Sequence, residues 1–230
     1  MISLFAPQGI GEIHKGDNLA DIIMASCELR DYDVVTVTSK IVSKAEGRVV
    51  AIDHHDEKAF ETLILSEARR VLRRRGSLII TETHQGYVCA NSGIDLSNVD
   101  EGYAVLLPSN PDLSARRIQK QLSNKTGLKL GVVITDTFGR TWRKGVTDVA
   151  LGCAGIAAIL DLRGTKDSKG RVLVATEIAI ADEIAAAAEL AKPKAGGTPV
   201  VIVRGLDEEV FRRSSIAKEI IRDPSEDLFR

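Results

Sequence analysis

The sequence predicts an α+β fold, mixed sheets with helices, on three observations. Short apolar runs of strand length stand at 34–37, 130–134 and 199–203. Other stretches carry apolar residues at helical spacing, as Leu19, Ile22 and Ile23 do. The two kinds of segment alternate irregularly, so a simple βαβ repeat fails.

Taken in order, Ile2 to Phe5 reads as a short strand, broken by Gly9 and Gly11. Asp17 is placed to cap a helix over 18–27. Val34, Val35 and Val37 form a buried strand, followed by a polar turn with Ser39, Lys40, Ser43 and Lys44. A strand is predicted over 48–52. One long helix is predicted over 57–75, with Phe60, Leu63, Ile64, Ala68 and Leu72 on one face. Residues 78–81 read as a strand, 89–98 as a polar loop and 103–107 as a strand. Pro108 and Pro111 set up a helix from Asp112 to about Leu122. The run 130–134 ends abruptly at Thr135, Asp136 and Thr137. Residues 146–162 are small, apolar and buried, with a period that selects neither helix nor strand. A strand over 172–175, an Ala-rich helix over 179–191, a strand over 199–203, a broken helix over 208–221 and a frayed tail complete the chain.

The composition bounds the function. At ~150 residues per domain, 230 residues make one large domain or two small ones. With 44% hydrophobic and 27% charged residues the chain is globular rather than disordered. Thirty-one Lys and Arg against 32 Asp and Glu give a net charge of −1, which excludes a strongly basic nucleic-acid coat. No apolar run approaches the ~20 residues of a membrane span. The N-terminus has neither the basic region nor the apolar core of a secretory signal. Cys27, Cys89 and Cys153 form no CxxC pair and read as reduced thiols, so a cytoplasmic protein is expected.

Common nucleotide and hydrolase motifs are missing. There is no GxxxxGK[ST], no HExxH and no GxSxG. Gly9-Ile10-Gly11 is followed by His14 where a dinucleotide fingerprint needs its third glycine. His54-His55-Asp56-Glu57 reads as the exposed start of a helix, because adjacent side chains diverge. Arg69, Arg70, Arg73, Arg74 and Arg75 read as a solvated helix face, with nucleic-acid binding as the competing use.

Three segments carry chemistry. TSKIVSKAEG places Ser39, Lys40, Ser43 and Lys44 at the end of a buried strand, where α/β sheets present ligand crevices and lysine meets phosphate; the alternative is a solvated turn. CANSGIDLSN gathers Asn91, Asp95, Ser97 and Asn98 around Gly93, an oxygen set that suits Mg²⁺ or Mn²⁺, or an ordinary Asx-rich turn. ITDTFGRTWRKG sets Asp136 and Thr137 beside Arg140, Arg143 and Lys144, with Gly139 and Trp142 crowding the site. A carboxylate next to three cations suits a divalent metal and the polyphosphate that shares it, or a structural Asp–Arg pair.

In the order TSKIVSKAEGR, ANSGIDLSN, ITDTFGRTWRKG, TEIAIADEIAAAAEL and PVVIVRG, with GIGEIHKGDNLA before them, the chain resembles the coenzyme F420-0:gamma-glutamyl ligases over about 10–205. The resemblance implies a ligase that uses GTP and Mg²⁺ or Mn²⁺, with K⁺ as a further cation. Its reaction joins L-glutamate to coenzyme F420-0, a deazaflavin cofactor precursor, and then adds further gamma-linked glutamates. It also implies a family-specific α+β ligase fold with two intimately connected subdomains in one domain over 1–230. A cytoplasmic homodimer is implied, with the nucleotide near the subunit interface and neither nucleic acid nor membrane as a partner. Carried over by motif, Asp95, Asp136 and Thr137 are expected metal ligands. Ile10, Gly11, Glu12, Ile13, Ser39, Lys44 and Asn98 are expected to contact GTP.

Making an amide requires an activated carboxylate, here as an acyl phosphate formed with the GTP γ-phosphoryl group. Asp136, Lys44 and Arg140 are the expected catalytic residues, with Lys44 or Arg140 opposing the developing charge. Two departures stand out. Pro193-Lys194 replaces the Gly-Gln of archaeal relatives, which puts a second metal ligand in doubt, since an ammonium cannot coordinate a cation. The C-terminal flavin reductase domain of some relatives has no counterpart, so ligase activity alone is expected. Two alternatives stay open: another GTP- or ATP-dependent carboxylate–amine ligase on the same scaffold, and a nucleic-acid-binding module using the helix of Arg69 to Arg75.

Overall fold

The structure, a computed structural model, describes residues 1–53, 55–97, 99–192 and 197–228. The chain opens with β1 (Ser3–Phe5), α1 (Leu19–Ser26), β2 (Val34–Thr38), α2 (Ser39–Ala45) and β3 (Val49–Ala51). Helix α3 (Glu57–Ser66) leads into β4 (Ala68–Arg75), β5 (Leu78–Thr83) and β6 (Val88–Ala90). Strand β7 (Tyr103–Val105) and α4 (Pro111–Thr126) precede a long hairpin, β8 (Gly131–Gly139) and β9 (Val146–Ala154). The remaining elements are β10 (Leu160–Asp161), β11 (Glu177–Ile178), α5 (Ile180–Leu190), β12 (Val200–Arg204) and α6 (Ile216–Glu219). The observed class is α+β, as the sequence predicts.

The central sheet has the order β1-β12-β2-β8-β9. Only β2 and β8 are parallel neighbours in it, in register from Val34 opposite Gly131 to Thr38 opposite Thr135. Val34, Val35, Val37, Val132, Val133, Ile134 and Val200 to Val203 are buried, which explains continuous apolar runs instead of alternation. Each such side chain contributes about 1.5–3 kcal/mol by leaving water. A parallel pair needs a crossover. Here it carries α2, α3, α4 and two small antiparallel sheets, β3-β7 and β4-β5-β6.

Helices α4 and α5 both pack against β9. Asn110 caps α4 by accepting from Leu113 N at 2.9 Å, Pro111 opens it, and Gly127 at φ 75° ends it. At Gly152 the backbone of α4 comes so close that a Cβ would lie 2.3 Å from the Pro111 carbonyl carbon. The buried Asp112 carboxylate accepts from Cys153 N, Ser215 Oγ, Ile216 N and Ala217 N, fastening α6 to the core.

Several local expectations are corrected. The helix predicted over 57–75 stops at Ser66, and the arginines lie on β4. Gly76 at φ 58° makes a two-residue turn that folds β4 onto β5, and that pairing overrides the helix propensity of arginine. Arg70 pairs with Glu82 at 2.8 Å and Arg74 with Glu61 at 2.5 Å. The polar turn after β2 is helix α2, whose Ile41 and Val42 are buried in the core. Asn18, not Asp17, caps α1, accepting from Ala20 N and Asp21 N; Asp17 instead accepts from His14 N. The loop over 89–98 begins with β6 and a helical turn at Asn91–Gly93. Residues 172–175 form no strand; Val172 makes one isolated bridge with Lys166. The ambiguous stretch 146–162 is mostly strand β9, and 208–221 is broken into two short helical turns.

Asp56 caps α3, so the His-rich segment is a helix start, with His54 outside the described residues. Cys27, Cys89 and Cys153 are free. Among the described residues no helix is long and apolar enough to cross a membrane.

Candidate active site

Strands β2 and β8 run in the same direction, so their carboxyl ends open at one sheet edge, where parallel strands leave a crevice. The cleft there has a volume of about 880 Å³, ample for a small-molecule ligand. Ile10, Gly11, Glu12 and Ile13 line it from the segment before α1. Helix α2 supplies Ser39, Lys40 and Lys44, and the loop after β6 supplies Asp95 and Ser97. Strand β8 supplies Asp136 and Thr137; Asp148, Glu189 and Lys192 complete the floor.

Asp136 is the centre of this arrangement. Its Oδ2 accepts from Ser39 Oγ at 2.9 Å and its Oδ1 from Thr137 N at 2.8 Å. Burial pushes its pKa up to about 6; the Ser39 and Thr137 donors oppose this, while the charges of Asp95 and Asp148 add to it. No ammonium or guanidinium of the described residues pairs with it. The other carboxylates are balanced. Asp95 Oδ2 lies 2.6 Å from Lys40 Nζ, and its Oδ1 accepts from Ser97 N at 2.6 Å. Burial works against that carboxylate, but the Lys40 and Ser97 donors hold it below its ordinary range. Lys40 also reaches the Ser97 carbonyl and hydroxyl, each at 3.0 Å. Lys44, 9% exposed, pairs with Glu12 at the cleft mouth.

The cleft thus gathers Ile10, Gly11, Glu12, Ile13, Ser39, Lys44, Asp95, Asp136 and Thr137 from separate segments. Arg140 stands apart from it: it is exposed on the β8–β9 turn and donates to the Lys144 carbonyl at 2.9 Å. Trp142, expected to crowd the site, is 86% exposed on the same turn. Asn98 and Lys194 lie outside the described residues. Asp148, Glu189 and Lys192 are cleft residues that the motifs do not single out. The register that sets Asp148 opposite Thr137 is the missing signal, and it depends on reading 146–154 as a strand. Cys89 also lines the cleft, but burial and then the Asp136 charge push its thiol up to about 12, so it is no nucleophile at neutral pH.

Among the described residues no three His, Cys, Asp or Glu side chains come together as a metal cage. The donors present still fit a hard divalent cation. Mg²⁺ binds through one or two carboxylates and shares substrate phosphates and water. An enclosed carboxylate lacking a cationic partner among the described residues, beside further carboxylates, is electrostatically suited to that role. Lys40 and Lys44 on the adjoining helix suit the phosphates.

The sequence model of the F420-0:Gamma-glutamyl ligase family matches residues 9–205, a span that includes every cleft segment just described. The chain belongs to the F420-0:Gamma-glutamyl ligase family. The coenzyme F420:L-glutamate ligase of Methanopyrus kandleri is 42% identical, with 95% of this chain and 94% of the relative covered. Proteins of the same name from Methanothermobacter thermautotrophicus and Methanocaldococcus jannaschii are 37% and 39% identical. They cover 100% and 93% of this chain, and 99% and 90% of their own lengths. Within this F420-0:Gamma-glutamyl ligase family member, the β8–β9 turn with Arg140 and Trp142 also falls inside the matched span.

Proposed function

We propose that this chain is a GTP-dependent ligase that joins L-glutamate to a carboxylate of coenzyme F420-0 and then adds gamma-linked glutamates. Family membership and the names of the relatives support glutamate ligation to this cofactor. The observation that carries the reading is Asp136: a carboxylate without a cationic partner among the described residues, at the end of a parallel strand pair, with Lys40 and Lys44 on the neighbouring helix.

Carboxylates resist attack by amines, so the acceptor carboxylate first takes the γ-phosphoryl group, giving an acyl phosphate and GDP. The glutamate amine then attacks the acyl carbon, and inorganic phosphate leaves. Lys44 and Lys40 hold the phosphate oxygens and oppose the charge developing on the leaving GDP. Ser39 orients the Asp136 carboxylate through the 2.9 Å hydrogen bond. Asp136, Asp95 and Thr137 would hold Mg²⁺ or Mn²⁺, which withdraws charge from the transferred group when bound. The segment of Ile10, Gly11, Glu12 and Ile13 walls the nucleotide side of the cleft. The enzyme works as a homodimer in the cytoplasm in this reading, and light scattering on the purified protein tests the dimer.

The direct experiment incubates the protein with F420-0, GTP, glutamate and Mg²⁺ or Mn²⁺ and weighs the products. The expected masses rise by glutamyl residues and appear with GDP. Glutamylation by ATP but not GTP would assign the scaffold to a different nucleotide. No mass gain on F420-0 would remove the acceptor.

A further inference from the structure

Strand β8 carries the cleft wall outward beyond Asp136. Thr137, Phe138 and Gly139 all line the cleft, and at about 3.3 Å per residue Gly139 stands about 10 Å further along the strand than Asp136. The turn 140–145 begins there. Two hydrogen bonds hold its shape: Arg143 N donates to the Arg140 carbonyl at 3.2 Å, and Arg140 Nη2 donates to the Lys144 carbonyl at 2.9 Å. Trp142, the only tryptophan of the chain, sits on this turn with φ 65°. That left-handed conformation is costly for a bulky residue. No burial offsets the cost, because Trp142 is 86% exposed.

The charge of the turn is one-sided. Between Asp136 and Asp148 the chain has Arg140, Arg143 and Lys144 and no carboxylate. Arg143 and Lys144 are exposed, and no side-chain hydrogen bond or ion pair among the described residues engages either head. A free indole face stacks on another flat ring, and free cations beside it select a ligand that is also anionic.

On the ligase reading, on which this inference rests, the acceptor has both properties. Coenzyme F420-0 offers its carboxylate to the γ-phosphoryl group beside Asp136. Its deazaflavin ring, a planar fused aromatic system, lies at the other end of a chain that carries a phosphodiester. The nucleotide takes the side of the cleft walled by Ile10 to Ile13, which leaves the hairpin to the acceptor. We propose that the β8–β9 turn is the acceptor subsite: Trp142 stacks on the deazaflavin ring, and Arg143 and Lys144 meet the anionic chain between ring and carboxylate.

The test compares wild type, Trp142→Ala, Trp142→Phe and Arg143→Gln/Lys144→Gln. Each is titrated calorimetrically with F420-0 in the presence of Mg²⁺ and a non-hydrolysable GTP analogue, and its KM values for F420-0 and GTP are measured separately. Trp142→Ala is expected to bind F420-0 about tenfold more weakly, the loss of one stacked ring. Its KM for F420-0 should rise in step, its KM for GTP should not, and its melting curve should follow wild type. Trp142→Phe should recover most of the loss. The double variant should bind F420-0 more weakly and lose most of the dependence on KCl concentration that wild type shows. Fluorescence of the free protein, which reports Trp142 alone, should be that of a hydrated indole. Product from wild type with unchanged KM values in Trp142→Ala would overturn the subsite and leave the ligase reading standing. An equal rise in the KM for GTP would give the turn to the nucleotide and overturn it. Blue-shifted emission from the free protein would show the turn covered, as by a second copy of the chain, and would also overturn it. A wild type that adds no mass to F420-0 would overturn both readings.

Discussion

Ser39, the first residue after β2, donates its hydroxyl to Asp136 on the neighbouring parallel strand at 2.9 Å. This bond closes the seam between β2 and β8 at the point where the cleft begins. It also fixes the direction of a carboxylate that has no cationic partner among the described residues, which makes Asp136 the natural target of the first prediction.

At pH 8 without divalent cation, Asp136→Asn is expected to melt above wild type. The folded pKa of Asp136, about 6, lies above its ordinary 3.8. The folded state therefore holds the proton more tightly than the unfolded one. Stability falls as pH rises between those two values, by about 1.4 kcal/mol for each pH unit crossed, and stays reduced above them. The amide removes that cost, so the advantage of the variant should vanish in acid below the lower value. Added Mg²⁺ or Mn²⁺ should raise the melting temperature of wild type alone, and turnover should be lost in the variant. Thermal melts across pH, with and without metal, and a turnover assay check these outcomes. A variant that melts below wild type at pH 8 would show that the charge is satisfied in the folded state.

Lys44→Met should weaken GTP binding about tenfold or more, the loss of one charge-assisted contact, while lowering thermal stability little. Lys44 itself is buried, but its partner Glu12 is 65% exposed as a side chain and keeps its hydration when the ammonium goes. Calorimetric titration with GTP and a melting curve separate the two effects. Unchanged GTP affinity would move the phosphate site away from α2.

The acyl-phosphate route predicts where an oxygen atom goes. With the acceptor carboxylate labelled by heavy oxygen, one labelled atom should leave in inorganic phosphate, alongside GDP. An adenylation-like route would release GMP and pyrophosphate instead. Mass analysis of the phosphate and of the nucleotide product decides between the two.

Gly152→Ala should destabilise the fold by about 3 kcal/mol, the upper range for overpacking. The added Cβ would meet the Pro111 carbonyl carbon at 2.3 Å and Asp112 N at 2.6 Å, backbone atoms that cannot rotate aside. Denaturant unfolding measures the loss. A change below about 1 kcal/mol would mean that α4 moves off β9 at little cost.

Strands β2, β8 and β12 of the central sheet are legible in the sequence because burial on both faces writes itself as runs of valine and isoleucine, as in Val34, Val35 and Val37, whereas β9 is not. Helix α4 is legible from Pro111, although its end at Gly127 lies beyond the predicted Leu122. The arginines of β4 mislead because their intrinsic preference is helical, while their conformation is set by Gly76 and by pairing with β5. The cleft residues on motifs stand out where a strand ends in polar residues, as at Thr135, Asp136 and Thr137. Asp148 and Lys192 stay hidden for a different reason. They are 44 residues apart; Asp148 stands in a stretch of small apolar residues whose period gives no register, and Lys192 stands just past the predicted Ala-rich helix, outside every motif. Only the hairpin pairing, Thr137 opposite Asp148, brings them to the floor.

The parallel seam between β2 and β8 has a bearing on how the chain comes to fold. Ser39 and Asp136 are 97 positions apart, and closing a loop of that length carries an entropic cost whose length-dependent part is about 4 kcal/mol. The β8–β9 hairpin is local and escapes that cost. The cleft therefore emerges only with the long-range closure, after its β8–β9 edge can already exist. An intermediate with hairpins but no seam has no ligand pocket, so nucleotide added during refolding should leave the early phases untouched and slow only the unfolding of completed molecules.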